Sequence, residues 1–500
     1  MVRNVQADAA IQQYAERCVQ ERRAAEVGAL VGRVAPGKDL VLQVLRAPDR
    51  DGAAPLTVSA SASSAPAGKK GKAGGKAGGG GGGLQLDDEW VVEHAAMIER
   101  LLPGGLDVVG LYVLCSGAAF AGATSQLAAL ADAAAKELSS RLPSLLLLHI
   151  DSVSGALTLR EAAFGLRPAE LKVAPLADQM VQLQSRHTLD LRLPVCDSAQ
   201  ELQAAFQSAC DAAAARLRGA LGLVAGHLAT PDCQLADLDG VPPAGATAAA
   251  PVELLLQPPS SLAFCTAGGG KAGSGLQRGR AEESSAGSVA LRGVLDCRAC
   301  VHRREPAAAA VDAVAADVRR SLQARLDALL DAAEQQQEAA EAEAAAAAAA
   351  AAGSGGKAGA PASSAPALAH PLFSAARSSK KAVDVTLPRR AFVGAAAAGG
   401  IPFCDYLFEG ESMQALRGRL QMLLPVELDL AAAPVECLET AAARPPAARA
   451  AASTKAAAAA GGAGRPSSAG LSACNLVTAG AATVGVLALA LGYLSLGSGQ

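Results

Sequence analysis

The hydrophobic positions of the first 230 residues follow the periods of helices and strands. Between residues 84 and 102 the apolar side chains recur at helical spacing, and Pro103, Gly104 and Gly105 end this stripe. Alternating helices and strands predict an α/β or α+β domain at residues 1–230, with helices covering a sheet. The other predicted elements are strands at 26–34, 40–45, 107–115 and 145–150, a hairpin partner at 156–164, and helices at 127–142 and 198–219.

The second half of the chain has fewer periodic segments. A long helix is predicted from residue 307 to 330, where valine and leucine recur on one face. Because no heptad repeat is sustained, we expect this helix to pack on a sheet and not to form a coiled coil. Together these segments predict a second, smaller α+β region at 251–440. Its predicted strands are 251–257, 288–302, 382–387 and 426–430.

Composition excludes a single compact globule of 500 residues. The chain has 52 Gly, 26 Pro and only 3% aromatic residues, and much of its 51% hydrophobic content is alanine, which buries little surface. Segments rich in Gly, Ala, Ser and Pro are therefore predicted to be disordered insertions and linkers. These are an insertion at 49–83, a linker at 231–250, insertions at 267–287 and 338–379, and a flexible tether at 441–470.

Charge and cysteine content narrow the functional classes. The net charge of -3 gives no chain-wide basic field, which argues against a general nucleic-acid binder. The 11 cysteines are odd in number and lie mostly in apolar segments, which is typical of reduced thiols in a cytosol. The first residues lack the apolar core of a secretory signal, so we expect the chain to begin in the cytosol.

The last 30 residues carry the strongest compositional signal. Residues 476–496 contain no charged side chain, and about 21 residues at roughly 1.5 Å each span a hydrocarbon core about 30 Å thick. We therefore predict a single transmembrane tail anchor at 471–496 that contacts the lipid bilayer and leaves the preceding chain cytosolic; the alternative is a buried core helix. The residues assigned to the membrane include Leu476, Val486, Leu491 and Leu496.

The sequence offers weak candidates for chemistry. The six histidines include no HExxH or HxH spacing, and His94 is predicted on the polar side of its helix. Strand alternation would point Cys297 and Cys300 to opposite faces, and no second CxxC exists, so zinc or redox use is not favoured. GGGKAGSG at 268–275 lacks the Ser or Thr of a phosphate loop. The sequence places no general base near Cys115. We predict no catalytic residue, no metal and no cofactor.

The segment DVVGLYVLCSG, followed by a helix, resembles the MPN fold, in which such a strand leads to zinc-binding histidines. Laid over that pattern, Val113 and Cys115 occupy the two histidine positions, and the downstream serine and aspartate positions fall near Ala123 and Gln126. A catalytic zinc ion needs three protein ligands and a water. The resemblance thus implies an MPN-like mixed sheet flanked by helices, without catalysis.

The order of segments resembles the odorant response abnormal protein 4 family. The matching runs include DDEWVVEHAAMIERLLPGGLDVVGLYV, RGVLDCRACVHRREP and IPFCDYLFEGESMQALRGRLQMLL, with the terminal apolar segment. The resemblance implies a single-pass, tail-anchored protein of the endoplasmic reticulum membrane. It implies two roles: recruiting the protease of the ubiquitin-fold modifier, and assisting surface delivery of seven-helix receptors.

Three functional hypotheses remain open: a membrane-tethered adaptor, a trafficking or folding factor for polytopic membrane proteins, and an enzyme. For a partner, the helix at 89–102 and the adjoining strand are a candidate surface. Its residues are Trp90, Val91, Ile98 and Leu101. The competing interpretation is ordinary core packing.

Overall fold

The computed structural model describes thirteen parts of the chain. These are residues 3–35, 37–58, 84–138, 144–163, 165–194, 196, 198–218, 220–256, 288–353, 372, 383–393, 401–424 and 434–439. The strands are β1 (Asn4–Asp8), β2 (Glu26–Ala35), β3 (Lys38–Arg46), β4 (Leu56–Val58), β5 (Leu84–Leu86), β6 (Asp107–Cys115), β7 (Leu145–Asp151), β8 (Leu157–Ala162), β9 (Leu166–Pro168), β10 (Glu170–Ala174), β11 (Met180–Pro194), β12 (Leu221–Val224), β13 (His227–Leu228), β14 (Ala250–Leu255), β15 (Ser288–His302), β16 (Val383–Thr386), β17 (Arg389–Val393), β18 (Phe403–Leu407) and β19 (Val435–Glu436). The α-helices are α1 (Ala9–Gln20), α2 (Asp88–Leu101), α3 (Gly117–Gly122), α4 (Thr124–Glu137), α5 (Ala199–Arg218), α6 (Ala307–Gly353) and α7 (Met413–Leu423).

The first sheet has eight strands in the order β10-β1-β3-β2-β6-β7-β8-β9. It is mixed: β6 pairs with β7 in parallel, whereas β2 pairs with β3 and β6 antiparallel. Both faces are covered, since Tyr112 and Leu114 of β6 lie in a core with α1, while Val113 and Cys115 lie in another core with α2 and α4. Burial on both faces explains why β6 and β7 read as continuous apolar runs. The mixed α+β architecture predicted for this region is confirmed.

The second sheet has six strands in the order β13-β12-β14-β11-β15-β16. Its centre is the antiparallel pair β11 and β15, in register from Met180 opposite His302 to Pro194 opposite Ser288. Strand β15 has the predicted limits, but β11 was not predicted. Its sequence, MVQLQSRHTLDLRLP, alternates apolar and polar residues as a half-buried strand should, so the signal was present.

The pairing of β11 with β15 crosses the boundary predicted at residue 230. Helix α5 also lies in the core of the second sheet, where Phe206 of α5 and Val318 of α6 belong to one apolar cluster. The second sheet is therefore built from residues on both sides of that boundary. Two smaller sheets complete the described fold: β18-β17-β19, and the pair β4-β5.

The structure corrects three predictions of disorder. Residues 231–250 contain a 3-10 turn, Leu235–Asp237, and Leu235 is fully buried in the core formed by β11, β14, β15 and α6. Residues 56–58, inside the predicted insertion at 49–83, form β4 and pair with β5. Residues 338–353 continue helix α6, because alanine and glutamate are strong helix formers.

The remaining insertions predicted from composition lie outside the described residues. These are 59–83, 267–287, 354–371, 373–379 and the tether at 441–470, together with the strand predicted at 426–430. The anchor predicted at 471–496 also lies outside them. In the described part of the chain, no helix combines the length and apolar character needed to cross a membrane.

Candidate functional site

The carboxyl ends of β6 and β7 bring a cysteine, a histidine and an aspartate together. Because these strands are parallel neighbours, Cys115 lies opposite Asp151, and His149 lies opposite Val113. The Nε2 atom of His149 is 3.1 Å from the backbone oxygen of Cys115. The imidazole ring stacks on Phe120 of α3, with 4.2 Å between ring centroids. Sequence analysis placed no base near Cys115, and the parallel pairing of β6 and β7 brings the His149 imidazole to the backbone oxygen of Cys115.

The protonation states at this site do not favour a nucleophile. Cys115 is fully buried, and this burial, with the nearby charge of Asp151, raises the pKa of its thiol to about 11. Burial also lowers the pKa of His149, a shift that its hydrogen bond to the Cys115 carbonyl opposes. At neutral pH the thiol is therefore protonated and the imidazole uncharged. A reactive cysteine needs the opposite arrangement, a thiolate beside an imidazolium.

Asp151 forms its hydrogen bonds with the turn that follows β7. Its carboxylate accepts hydrogen bonds from the Ser154 hydroxyl at 2.6 Å and from the Val153 amide at 3.3 Å. The hydrogen bond from Ser154 is the main cause of the lowered pKa of Asp151. Asp151 therefore closes the turn between β7 and β8 and does not orient the imidazole as the third member of a catalytic triad.

The four positions laid over the MPN pattern do not form a polar site. Val113, Cys115 and Ala123 are buried together in the first core, and Gln126 is half-buried on α4. Among the residues that the structure describes, no group of three or more His, Cys, Asp or Glu side chains is placed to hold a metal ion. What this part of the molecule offers is apolar packing.

The candidate partner surface on α2 needs correction. Val91, Ile98 and Leu101 are buried in the first core, so these three side chains hold α2 on the sheet. Only Trp90 is partly accessible, and its indole donates a hydrogen bond to the Pro48 oxygen at 2.9 Å. The apolar positions of α2 therefore serve core packing, which was the alternative interpretation of this helix.

The placement of His94 also differs from the prediction. His94 was expected on the polar side of α2, but it is fully buried and its Nε2 atom lies 2.8 Å from the backbone oxygen of Leu423. The reason is that α7 packs beside α2 and covers a second side of that helix. A helical pattern shows which face is apolar but not how many neighbours the helix will have.

The CxxC pair behaves as the alternation of β15 predicted. Cys297 lies in the core between the second sheet and its helices, whereas Cys300 lies in the first core. Both thiols are buried, and burial raises the pKa of each, that of Cys300 to about 12. The two thiols face opposite sides of the sheet, so they cannot bind one metal ion together.

Exposed apolar side chains cluster on the second sheet, on the face away from α6. Leu221 of β12 lies opposite Leu255 of β14, and Leu228 of β13 lies opposite Leu223 of β12. Leu221, Leu228 and Leu255 are 62%, 54% and 48% exposed. Apolar side chains this exposed on adjacent strands are a feature of interaction surfaces. The sequence analysis did not single them out, although the short alternating strands would have been the signal.

The junction between the two sheets joins two of the sequence runs that match the family. Gly104, in the LLPGG run, donates a backbone hydrogen bond to the Arg298 oxygen and accepts one from the Cys300 amide, both 2.8 Å. Arg33 of β2 donates to the Glu305 carboxylate and to the Gly105 oxygen. A cavity of about 240 Å³ lies beside this junction. Its charged lining residues are Arg33, Asp107, Glu305, Asp312, Arg319 and Arg320.

The glycines of the junction are required by its geometry. A Cβ atom on Gly104 would lie 2.3 Å from the Ala313 backbone oxygen, and Gly105 has a φ of +79°. Only glycine allows the loop to approach α6 this closely and to turn there. The LLPGG run at 101–105 and the RACVHRREP run at 298–306 therefore meet where one sheet docks on the other.

Comparisons with known proteins identify relatives of this chain. The family model described as Odorant response abnormal 4-like matches residues 28–433. The protein described as Protein odr-4 homolog, from Xenopus tropicalis, is 25% identical over 116 residues, which are 23% of this chain and 22% of that protein. A solved structure described as the crystal structure of UfSP from C. elegans aligns with a TM-score of 0.37 and 9% identity, covering 85% of this chain and 56% of that one. The match therefore spans about a fifth of the frog relative's length.

Proposed function

This chain belongs to the Odorant response abnormal 4-like family, and on that premise we propose that it is a non-enzymatic adaptor of the endoplasmic reticulum membrane. The adaptor recruits the protease of the ubiquitin-fold modifier and holds it near membrane-bound substrates. Tethering of this kind raises the local concentration of a cytosolic partner without any new contact chemistry.

The surroundings of Cys115 are the main support for a non-enzymatic role. This thiol is fully buried, and its pKa is raised to about 11. The nearby His149 hydrogen-bonds a backbone carbonyl and stacks on the Phe120 ring. The neighbouring positions Val113 and Ala123 contribute apolar packing. A hydrolase site needs an accessible nucleophile and an activating base, whereas this arrangement stabilises a fold.

The membrane part of the proposal is supported by the sequence. Residues 476–496 contain no charge and are long enough for one passage across a bilayer. A single crossing by this segment leaves residues 1–470 on one side of the membrane. In the proposed arrangement that side is the cytosol, where a cytosolic protease can reach the folded part of the protein.

Burial leaves few residues of the proposed partner surface accessible to a partner. Of the four α2 residues, Trp90 is the one that a partner could reach, and the open face of the second sheet offers Leu221 and Leu255. Trp90→Ala and Leu255→Asp therefore test two separate surfaces. Loss of the partner with one variant and not with the other would assign the interface.

An affinity purification with mass spectrometry tests the function. The tagged full chain and a copy lacking residues 471–500 are expressed at matched levels, and their location is determined by fractionation. We expect the full chain at the endoplasmic reticulum, the shortened chain in the cytosol, and the protease of the ubiquitin-fold modifier with both. Absence of the protease from both purifications would overturn the adaptor proposal. Recovery of seven-helix receptors in its place would support a trafficking role.

If the chain lacking residues 471–500 remains bound to the membrane, the anchor assignment is contradicted. The adaptor role is then tested only by whether the protease is recovered. To test catalysis directly, the purified chain is incubated with modifier conjugates. We expect no cleavage, and cleavage that is lost in Cys115→Ala would contradict the non-enzymatic assignment.

A further inference from the structure

Residues 434–439 are attached to the fold as a short added strand. Strand β19 pairs antiparallel with β17, with Glu436 opposite Phe392 and Val435 opposite Val393. Successive residues of an extended strand face opposite sides. Val435 and Cys437 accordingly pack against the first core, whereas Glu436 and Leu438 are exposed. Glu439 follows on the inward-facing side.

The Glu439 carboxylate is held by four donors. Both terminal nitrogens of Arg325 donate to it, and the backbone amides of Asp296 and Arg390 each donate at 2.7 Å. Glu439 is only 4% exposed. An ionised carboxylate has about four acceptor positions, so the surroundings of Glu439 satisfy all of them.

The receiving pocket is built for one negative charge. Arg325 of α6 is 1% exposed, is oriented by the Ser321 hydroxyl and the Pro388 oxygen, and lies over the Tyr406 ring. The neighbouring Arg390 has its own carboxylate partner, Asp317, at 2.6 and 3.1 Å. In the part of the chain that the structure describes, Arg325 forms an ion pair only with Glu439. Without Glu439 the pocket would hold a buried positive charge.

We propose that the β17 edge and the Arg325 pocket form a binding groove for an extended acidic peptide, and that residues 434–439 are its intramolecular ligand. The mode is strand addition, in which backbone pairing gives affinity and side-chain pockets give specificity. The recognised pattern is two apolar residues and a carboxylate at alternate positions, as in Val435, Cys437 and Glu439. Glu436 is not part of this pattern, because its carboxylate lies at the surface beside Arg298.

Binding in this groove is reversible. The cost of removing both charges from water offsets much of the attraction between Arg325 and Glu439. The segment adds only two cross-strand pairs, so it can leave β17 while the two large sheets stay folded. A partner peptide with the same alternation would then compete for the groove.

Hydrogen exchange of the full wild-type chain tests the release. We expect the amides of residues 435–439 to be protected at least 100-fold less than the amides of β15 that pair with β11. Equal protection of the two sets would show that the segment opens only on global unfolding, and would overturn the proposal.

A labelled, C-terminally amidated peptide of residues 434–439 tests recognition. We expect it to bind the full-length Glu439→Gln chain at least tenfold more tightly than the wild-type chain. In this variant the chain's own segment 434–439 binds the Arg325 pocket more weakly and competes less with the peptide. A peptide with Gln in the last position should bind the Glu439→Gln chain at least tenfold more weakly than the peptide with Glu. The full-length Glu436→Gln chain is the matched control and should behave as wild type.

Equal binding to the wild-type and Glu439→Gln chains, or no binding to either, would overturn the proposal. If Glu439→Gln does not fold, excess peptide is added to the wild-type chain. Faster exchange at residues 435–439, with protection retained at Val393, then supports displacement, and unchanged exchange contradicts it.

Discussion

Arg33 and Glu305 form two hydrogen bonds of 2.6 Å each, although 272 residues separate them in the sequence. Arg33 lies in a strand of the first sheet, and Glu305 lies between β15 and α6 of the second. Both side chains are less than a tenth exposed. The Glu305 carboxylate also accepts the His302 amide at 2.9 Å, so the pair fixes the start of α6 relative to both sheets.

Replacing one member of this ion pair should lower the stability of the protein. We expect Arg33→Met to lower the free energy of unfolding by about 3 to 5 kcal/mol, because it leaves the buried Glu305 carboxylate without its partner. The double variant Arg33→Met, Glu305→Met should cost less than Arg33→Met alone. Urea denaturation measures both. Arg292→Met, in an exposed pair with Asp190, is the control and should cost about 1 kcal/mol or less. A loss in the double variant equal to or larger than that of Arg33→Met would contradict this expectation.

Gly104→Ala should disturb the junction of the sheets. The added Cβ would lie 2.3 Å from the Ala313 oxygen and 2.6 Å from the Asp317 Cβ. Since backbone must move to relieve this overlap, we expect a loss of about 1 to 3 kcal/mol in the free energy of unfolding. Gly122→Ala, which meets nothing within 4 Å, should change stability by less than about 1 kcal/mol. Equal midpoints for the two variants in urea would refute the steric argument.

Cys115 should resist alkylation in the native protein. With a pKa of about 11, about 0.1% of this thiol is ionised at pH 8, and burial excludes the reagent as well. Iodoacetamide followed by peptide mass spectrometry should label the partly exposed Cys233 before Cys115. Cys115 should become labelled only in denaturant or as the pH approaches 11. Fast native labelling of Cys115 at pH 7 would mean that the site can present a nucleophile.

Stability should fall on mild acidification. Burial lowers the pKa of His94 below its ordinary 6.5 in the folded state, so below about pH 6.5 the unfolded chain binds a proton that the folded chain does not. The free energy of unfolding therefore decreases as the pH falls from 6.5, and the effect is absent above that value. Urea denaturation at pH 7 and pH 5 measures the difference.

Replacement of the buried imidazole should reduce this pH dependence. His94→Gln is expected to show a smaller loss of stability between pH 7 and pH 5 than the wild-type chain. The exposed His227→Gln serves as the control and should leave the loss unchanged. An equal loss in all three proteins would show that His94 does not contribute.

The candidate site shows where sequence reasoning succeeded and where it failed. Burial of the run at 107–115 and the alternation of β15 followed from local patterns, so the opposite orientations of Cys297 and Cys300 could be predicted. The approach of His149 to Cys115 could not, because it depends on which strands are neighbours and on their direction. The burial of His94 had the same origin, since α7 lies 329 residues away in sequence.

The sequence by itself determined the local elements of this protein, its family and the terminal segment proposed as an anchor. Periodicity is local: a stripe at helical spacing or a run of β-branched residues reports how one segment buries its own apolar surface. Tertiary structure alone decided that β11 joins β15, that Arg33 meets Glu305, and that Glu439 occupies the Arg325 pocket. Those contacts join segments far apart in the chain, and their energies depend on burial and geometry that a linear pattern does not contain.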